Sequence, residues 1–398
     1  MPPKRPLHVL IAGAGVGGLC LAQGLRRSGI DVAVYDRDES VYFRGQGWRL
    51  TIQDDGAEAL RDCLPAELFA LCLATALRPA TRLVVTDHRL APRFAKPLPE
   101  PVPDRQFGVN RLTLREILLA GLDDIVHFGK TLLRYEETGD GRVTAHFADG
   151  TTATGDLLVG AEGVNSAVRA QLVPDAVVDD MGRMIYGRSP LTEETLHWLP
   201  EELVDTFNVM SGPGGVTFGA VTCRAAGDTG AAVAAHAPYA RLTPIPHYLA
   251  WSMRGWSGAP ELEGERFRRA DGESLHRLAL ETLERDGWHP AAIRIVREAD
   301  VAATFPVGLH SARPLPQWKS DTVTLLGDAA HAMSPARGEG ANTTLRDAWL
   351  LRHALAEVVH EGTPLAVAKA RYEAEMLEYG FEAVARSRER PLFHRGTR

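Results

Sequence analysis

Three glycines near the start of the chain have the spacing of a phosphate-binding turn. Gly13, Gly15 and Gly18 form GxGxxG within the segment GAGVGG. In such a turn the first glycine permits a tight bend, the second lets the backbone approach a pyrophosphate, and the third lets helix pack on strand. The apolar stretch VAVY then ends in Asp36, whose carboxylate can accept hydrogen bonds from a ribose diol. The sequence therefore predicts a dinucleotide site.

Two later segments are also rich in glycine and polar residues. GDLLVGAEGVNSAVR covers residues 155–169, and LLGDAAHAMSPARGEGANTTLRDA covers residues 325–348. Other chemistries find less support. The four cysteines form no CxxC pair, the fourteen histidines show no HExxH spacing, and no GxSxG nucleophile elbow occurs. We therefore predict no metal site.

The elements around the first motif form a βαβ pattern. We expect a strand at His8–Ala12, a helix from the glycine turn to about Ser28, and a strand at Val32–Tyr35. Five prolines at 92–103 exclude a helix or a central strand there, and helical periodicity resumes at 110–119. Short alternating runs at 125–160 predict an antiparallel meander that returns to the main sheet at 156–160.

The remaining chain divides into a strand-rich part and a helical end. Glycines, prolines and aromatic residues punctuate strand-like runs between residues 173 and 286, including 184–188, 215–224 and 248–254. A buried strand at 322–326 leads into the third motif and a helix through about His360. A last helix is expected from about Pro364 to Arg388.

Composition limits the classes of partner. The chain has 398 residues, 44 Lys and Arg against 51 Asp and Glu, and a net charge of -7, which disfavours nucleic acid as a partner. Residues 7–25 carry no charge, but their glycines predict a buried strand, turn and helix instead of a membrane span. The unpaired cysteines are typical of a reducing, cytoplasmic location. A small molecule is the expected partner.

Together the three motifs resemble those of the class A flavoprotein aromatic hydroxylases, which include para-hydroxybenzoate and salicylate hydroxylases and the tetracycline-inactivating monooxygenases. That family carries GxGxxG, a central DG motif and a late GDAAHxxxPxxGQGxN, in the order found here. The resemblance implies an α/β fold with a Rossmann-like FAD-binding domain, an inserted sheet-based substrate domain and a C-terminal helix. The expected bounds are 1–75, 105–172 and 287–360 for the first, 76–104 and 173–286 for the second, and 361–398 for the helix.

The resemblance also implies an activity. FAD would be reduced by NAD(P)H and would transfer oxygen from O2, through a C4a-hydroperoxyflavin, to an aromatic or polyketide-like small molecule. Because the flavin carries this chemistry, no catalytic side chain is assigned. The alternatives are a flavin-dependent reductase or desaturase, a non-catalytic FAD-binding module, and a flavin halogenase, which the absence of a WxWxIP motif disfavours. The oligomeric state is expected to be monomer or homodimer.

Cofactor contacts follow from the matched motifs. The resemblance places Gly13, Gly15 and Gly18 at the FAD pyrophosphate, Asp36 at the adenosine ribose, and Asp328 at the ribityl or pyrophosphate end. Arg44 would contact the FAD diphosphate and help to receive the nicotinamide cofactor. The other implied cofactor contacts are Val16, Gly17, Arg37, Gly47, Arg111, Glu162, Pro335, Gly338, Gly340, Ala341 and Asn342.

Three residues depart from the family pattern. Glu162 replaces the aspartate of the DG motif, Glu339 replaces the glutamine of GQG, and Arg337 stands where the family has a small or apolar residue. A carboxylate beside an anionic reduced flavin would be repelled. We therefore expect the Glu339 side chain to turn to solvent or to pair with Arg337.

The substrate pocket is expected between the Pro335 loop and the sheet of the middle domain. Its predicted lining suggests an apolar, aromatic or polycyclic substrate, and consists of Arg49, Met210, Phe218, Trp251 and Ala336.

Overall fold

The computed structural model describes residues 6–42, 48–256 and 264–389. Its strands are β1 (His8–Ala12), β2 (Asp31–Tyr35), β3 (Arg49–Ile52), β4 (Arg82–Asp87), β5 (Pro92–Pro97), β6 (Phe107–Asn110), β7 (Val126–His127), β8 (Leu132–Thr138), β9 (Arg142–Phe147), β10 (Thr152–Gly155), β11 (Leu157–Gly160), β12 (Val178–Pro190), β13 (Thr206–Ser211), β14 (Thr217–Cys223), β15 (Tyr248–Arg254), β16 (Phe305–Ala312) and β17 (Val323–Leu325). Its helices are α1 (Val16–Arg27), α2 (Asp54–Cys63), α3 (Ala66–Ala74), α4 (Arg111–Leu119), α5 (Ala167–Leu172), α6 (Glu193–Trp198), α7 (Thr229–His236), α8 (Gly264–Arg268), α9 (Gly272–Arg285), α10 (Pro290–Arg297), α11 (Asp328–His331), α12 (Gly340–His360) and α13 (Leu365–Arg388).

A parallel sheet with the strand order β17-β11-β1-β2-β7 forms the first core. The β1 residues Val9, Leu10 and Ile11 are fully buried, as expected when helices cover both faces of a parallel sheet. Helix α1 packs directly on α12, since a Cβ at Gly17 would lie 2.4 Å from Thr344 Cγ2. The predicted βαβ start and the return of residues 156–160 to the main sheet are confirmed.

A mixed sheet with the order β16-β12-β15-β14-β13-β4-β5 forms the second core. Its strands pair antiparallel except for β13 with β4, which run parallel. One face packs against α9 and α10, and burial of the large side chains on that face drives this association. The buried aromatic residues of this core are Phe218, Trp251, Trp256, Phe267 and Trp288.

Two segments pack in a different core from the one expected. Residues 287–312 were expected in the FAD-binding domain, but β16 pairs with β12 along the mixed sheet. Helix α10 buries Ala292, Ile295 and Val296 in the second core. Conversely, Ala232 of α7 packs in the first core, although it lies within the segment expected to form the substrate domain. Strand pairing between distant residues decides these assignments, and local sequence patterns do not report it.

Smaller elements complete the structure. Strands β8, β9 and β10 form the predicted antiparallel meander, and β3 pairs with β6. The expected last helix is α13, and its Tyr372 hydroxyl donates to the Leu325 carbonyl at 2.8 Å. Helices that combine the length and apolar character needed to cross a bilayer are absent from the described residues.

Candidate functional site

A cavity of about 760 Å³ lies between the parallel sheet and the mixed sheet. Most of the predicted cofactor residues line it, namely Gly13, Gly15, Val16, Gly17, Gly18, Asp36, Arg37, Arg111, Glu162, Asp328, Pro335, Gly338, Gly340 and Ala341. Arg44 and Gly47 lie outside the described residues. The motifs are far apart in sequence, and the fold brings them to one site.

The glycine turn is closely packed at its two outer positions and open at its centre. A Cβ at Gly13, where φ is +111°, would lie 2.3 Å from the Ala161 carbonyl oxygen, and a Cβ at Gly18 would lie 2.0 Å from the Gly13 carbonyl oxygen. A Cβ at Gly15 would meet nothing within 4 Å. The open space is therefore at Gly15, immediately before the start of α1, where backbone N–H groups are available to an anion.

Asp36 holds the turn in place. The Ala14 N–H donates to its Oδ2 at 2.6 Å, and the Asp38 N–H donates to its Oδ1 at 2.8 Å. The Arg115 guanidinium lies 3.6 Å from Asp36 and 3.9 Å from Asp38, and its Nε donates to the Ala14 carbonyl at 2.8 Å. The carboxylate therefore fixes the turn from the end of β2, with Arg115 as its buried counterion.

Arg115 was missed in the sequence analysis. It lies one helical turn after Arg111 on α4, and residues four apart share a helix face. Both arginines line the cavity. That spacing was the signal that could have identified Arg115.

Glu162 caps a helix from the cavity wall. Its carboxylate accepts hydrogen bonds from the Ser166 hydroxyl at 2.5 Å and from the Ala167 and Val168 N–H groups at 3.1 Å each. Burial raises the pKa of Glu162, and these hydrogen bonds oppose that rise. The longer side chain at this family position thus reaches the start of α5.

Asp328 is the first residue of α11, lines the cavity and is exposed to solvent there. Burial raises its pKa, and the charges of His331 and Arg111 oppose this rise. Burial lowers the pKa of Arg111, and the Asp328 charge opposes that change in turn. Arg111 and Asp328 therefore stabilise each other's charged forms across the cavity.

A buried network holds the loop that carries Asp328. The Gly327 N–H donates to Asp347 Oδ2 at 2.7 Å, and His331 Nε2 lies 2.7 Å from the same oxygen. The Tyr379 hydroxyl of α13 donates to Asp347 Oδ1. His331 thus binds a carboxylate of α12, and the network links the loop to the last two helices.

Glu339 pairs with arginines, as expected from its position. Arg337 Nε lies 3.0 Å from Glu339 Oε1, and Arg386 of α13 lies 3.2 Å from Oε2. The carboxylate is thereby neutralised at the first turn of α12. The predicted pairing with Arg337 is confirmed.

Asn342 was expected to contact the cofactor and Ala336 to line the substrate pocket, but neither residue lines the cavity. Asn342 Oδ1 accepts from the Gln53 N–H at 2.8 Å, and its Nδ2 donates to the Thr51 carbonyl at 2.9 Å. The amide is buried and ties α12 to the segment after β3. Its side chain therefore has a packing role within the protein.

Of the three predicted pocket residues on the mixed sheet, Trp251 lines the cavity, whereas Met210 and Phe218 do not. Met210 and Phe218 are fully buried in the second core and do not line the cavity. Trp251 contributes to the cavity wall, but its ring stacks on Phe218 with centroids 6.0 Å apart. Because side chains alternate along a strand, the cavity receives Phe207 and Val221 from the opposite face. The large apolar residues mark the helix-covered face.

The two ends of this cavity differ in composition. We call Gly13–Gly18, Asp36, Arg115 and Glu162 the turn end. The sheet end consists of Arg49, Tyr186, Phe207, Val221 and Ser252. Arg49 and Trp251 were predicted to line the pocket and do so. Tyr186, Phe207, Val221 and Ser252 were missed because their strand face cannot be read from local hydrophobicity.

Comparisons with known proteins identify related families and structures. A family described as FAD binding domain matches residues 295–387, and one described as NAD(P)-binding Rossmann-like domain matches residues 11–60. The FAD-dependent monooxygenase dbaB of Emericella nidulans is 31% identical over 92% of this chain and 91% of its own length. A solved structure of a putative FAD-containing monooxygenase from Photorhabdus luminescens is 33% identical, covers 96% of each chain and has a TM-score of 0.79.

A longer relative matches over part of its length. The dual O-methyltransferase/FAD-dependent monooxygenase CTB3 of Cercospora beticola is 33% identical over 94% of this chain and 44% of its own length. The chain thus spans less than half the length of the first curated relatives that it matches.

Proposed function

Because the chain belongs to the FAD-dependent monooxygenase family, we propose that it uses FAD and NAD(P)H to transfer oxygen from O2 to an aromatic or polyketide-like small molecule. The observation that carries this proposal is the continuous cavity of about 760 Å³ that joins the glycine turn to the mixed sheet. A cofactor bound along the turn end would have its reactive part beside the space left for a substrate.

The residues at the turn end fit the parts of FAD. The open space at Gly15 and the N–H groups at the start of α1 suit the pyrophosphate. Asp36 lines the same wall and has lone pairs left for a ribose diol. Asp328 and the first residues of α12, Gly340 and Ala341, line the same cavity. FAD, when bound, supplies the electron-transfer and oxygen-transfer chemistry.

The protein's own task would be to orient the substrate and to exclude water. Phe207, Val221 and Ala250 offer an apolar floor for a flat ring system. Pro335 stands at the cavity wall, where its fixed φ stiffens the loop. No acid or base is required of the side chains in this scheme, and we assign none.

The name of the Cercospora relative bears on the product class. That protein joins an O-methyltransferase and an FAD-dependent monooxygenase in one chain. A hydroxylated aromatic ring is a substrate that an O-methyltransferase can consume. We therefore favour a phenolic product over a dehydrogenated or halogenated one.

The first experiment measures cofactor content and oxygen dependence. Purified protein should carry FAD, seen as absorption near about 450 nm, and should oxidise NADH or NADPH with formation of an oxygenated product or of hydrogen peroxide. Consumption of NAD(P)H that proceeds equally well to a reduced organic product without O2 would instead indicate a reductase. Bound flavin that neither nucleotide reduces would indicate a binding module.

The second experiment tests the loop at Pro335. We expect Pro335→Gly to keep FAD but to lower the ratio of product formed to NAD(P)H consumed, because a looser loop admits water to the site. Pro364→Gly, at the start of α13 and away from the cavity wall, is the matched control. An unchanged ratio in Pro335→Gly would remove this loop from the proposed oxygen-transfer site.

A further inference from the structure

Three enclosed arginines line the cavity, and they differ in their acidic partners. Arg115 lies within 3.9 Å of both Asp36 and Asp38. The charge of Arg111 interacts with that of Asp328. Arg49 forms no ion pair with any carboxylate in residues 6–42, 48–256 and 264–389. One positive charge at the sheet end therefore lacks a counterion in the described protein.

The Arg49 guanidinium is held in a defined position. It stacks over the Phe207 ring, with 4.6 Å from Cζ to the ring centroid, and Nη1 lies 3.2 Å from Thr51 Oγ1. Gly108 leaves room for it, since a Cβ there would be 2.7 Å from Nη2. The Nε atom is shielded from solvent and has no hydrogen-bond partner among the described residues. Arg49 thus lines the cavity with its guanidinium held in place and with one N–H group unpaired among the described residues.

The polar neighbours of Arg49 do not neutralise it at neutral pH. They are Tyr186, Tyr248 and Cys223. Burial raises the pKa of both tyrosines, and it raises the pKa of Cys223 to about 11. Burial also lowers the pKa of Arg49, but a guanidinium stays protonated at pH 7. An enclosed charge of this kind is costly until an anion binds it.

We propose that Arg49 anchors an anionic oxygen of the substrate, either a carboxylate or an ionised phenol or enol, at the sheet end of the cavity. The identification of this anion as the substrate rests on the proposed function. A planar guanidinium suits such oxygens because two N–H groups can donate in parallel. The pyrophosphate of FAD has a separate place at Gly15, and Phe207 and Val221 lie where the apolar body of an acidic aromatic compound would rest.

The test uses the FAD-loaded protein and a matched pair of probes, 2-naphthoate and the neutral 2-naphthamide, at pH 7. Binding is measured by equilibrium dialysis and by the change in the flavin absorption spectrum. We expect wild type to bind the carboxylate about tenfold or more tightly than the amide. Arg49→Gln should abolish that preference while leaving the affinity for 2-naphthamide within about twofold.

Two further variants separate charge from structure. Arg49→Lys keeps the charge but not the planar fork, and it should retain part of the preference. Arg269→Gln removes an equal charge from an arginine whose side chain is 80% exposed on the surface, and it should bind both probes as wild type does. Unchanged FAD content of each variant verifies that the cavity is intact.

A third probe distinguishes the two sources of the anion. 2-Naphthol is titrated below and above the ionisation of its own hydroxyl, at pH values kept below 10.0, the ordinary pKa of tyrosine, above which burial raises the pKa of Tyr186 and Tyr248. Tyr186, Tyr248 and Cys223, which face Arg49, remain protonated over that range. Tighter binding of the naphtholate that depends on Arg49 indicates a phenolate site, and a preference restricted to 2-naphthoate indicates a carboxylate site.

The proposal is overturned if wild type shows no preference for either anion, including the case where it binds none of the probes. Equal weakening of 2-naphthoate and 2-naphthamide by Arg49→Gln also overturns it. Because the measurement needs no turnover, its outcome is independent of the proposed reaction. If the protein binds the anion through Arg49 but transfers no oxygen, the proposed anion site is supported and the proposed monooxygenase function is rejected. If it transfers oxygen but does not distinguish the charged from the neutral probe, the function is supported and the anion site is rejected.

Discussion

At the turn end of the cavity, charged side chains bind other parts of the protein, whereas at the sheet end Arg49 has no acidic partner among the described residues. Asp36 binds two backbone N–H groups and lies near Arg115, and Glu162 binds three donors at the start of α5. The turn end thus offers mainly backbone groups to a ligand. From this difference we infer that the turn end binds the cofactor and that the sheet end binds the substrate and discriminates between substrates.

The strongest test of this contrast compares two arginine variants. Arg115→Met leaves Asp36 and Asp38 buried without their counterion and should cost about 3–5 kcal/mol of unfolding free energy. Arg49→Met removes an unneutralised charge and should change stability by about 1 kcal/mol or less, in either direction. Urea unfolding of both variants without added FAD measures this. Similar losses in the two variants would contradict the contrast.

A second comparison addresses the two faces of the mixed sheet. Met210→Ala creates a cavity in the second core and should cost about 2–5 kcal/mol. Val221→Ala, on the cavity face, should cost about 1 kcal/mol or less but should alter the affinity for naphthalene probes. Thermal unfolding and equilibrium dialysis provide the two readouts. A stability loss in Val221→Ala as large as that in Met210→Ala would show that the faces are assigned wrongly.

Within the glycine turn, two alanine variants should separate folding from cofactor binding. Gly18→Ala places a methyl group 2.0 Å from the Gly13 carbonyl oxygen and should destabilise the protein by about 1–3 kcal/mol. Gly15→Ala has room for its methyl group in the absence of ligand, so stability should persist while FAD affinity falls about tenfold or more. The measurements are urea midpoints and FAD dissociation constants. Full FAD affinity in Gly15→Ala would exclude the open space as the pyrophosphate site.

The smallest effect on folding is expected for Asp328→Asn. Burial raises the pKa of Asp328 above its ordinary value of 3.8, so the folded state holds this proton more tightly than the unfolded state does. The Asp328 contribution to stability is therefore full below pH 3.8 and falls as pH rises through the folded-state pKa. The stability of the Asp328→Asn variant should not fall in this way. At pH 7 the variant should be at least as stable as wild type, but it should bind FAD less tightly. Urea unfolding across pH checks the first point, and lower stability at pH 7 would refute it.

The sequence predicted the turn end better than the sheet end. The glycine turn, Asp36, Glu162 and Asp328 belong to long motifs whose spacing is set by local geometry, and all of them line the cavity. At the sheet end, the prediction that Met210 and Phe218 line the pocket was wrong, because these larger apolar residues face the helices. A shift of one residue reverses the face of a strand, and only the packing of the whole sheet determines which face meets the cavity.

Long-range contacts account for the other differences. Asn342 occupies a family motif, but its amide binds the backbone of residues 51 and 53 on a distant part of the chain. β16 joined the mixed sheet because it pairs with β12, which lies more than 100 residues earlier. The helical spacing of Arg115 from Arg111 was a weak signal, and the contact of its Nε with the Ala14 carbonyl assigns it to the site.

The strand order of the parallel sheet has a consequence for biogenesis. β1 pairs with β11, and β11 pairs with β17, so the neighbours of residues 8–12 include residues 157–160, and the sheet ends at residues 323–325. Contacts between such distant segments form late, because the entropy of loop closure must be overcome first. The loop carrying Asp328 follows β17 and depends on Tyr379 of the last helix. We therefore expect flavin loading to follow release from the ribosome, so that a nascent chain stalled before β17 displays the glycine motif without retaining the cofactor.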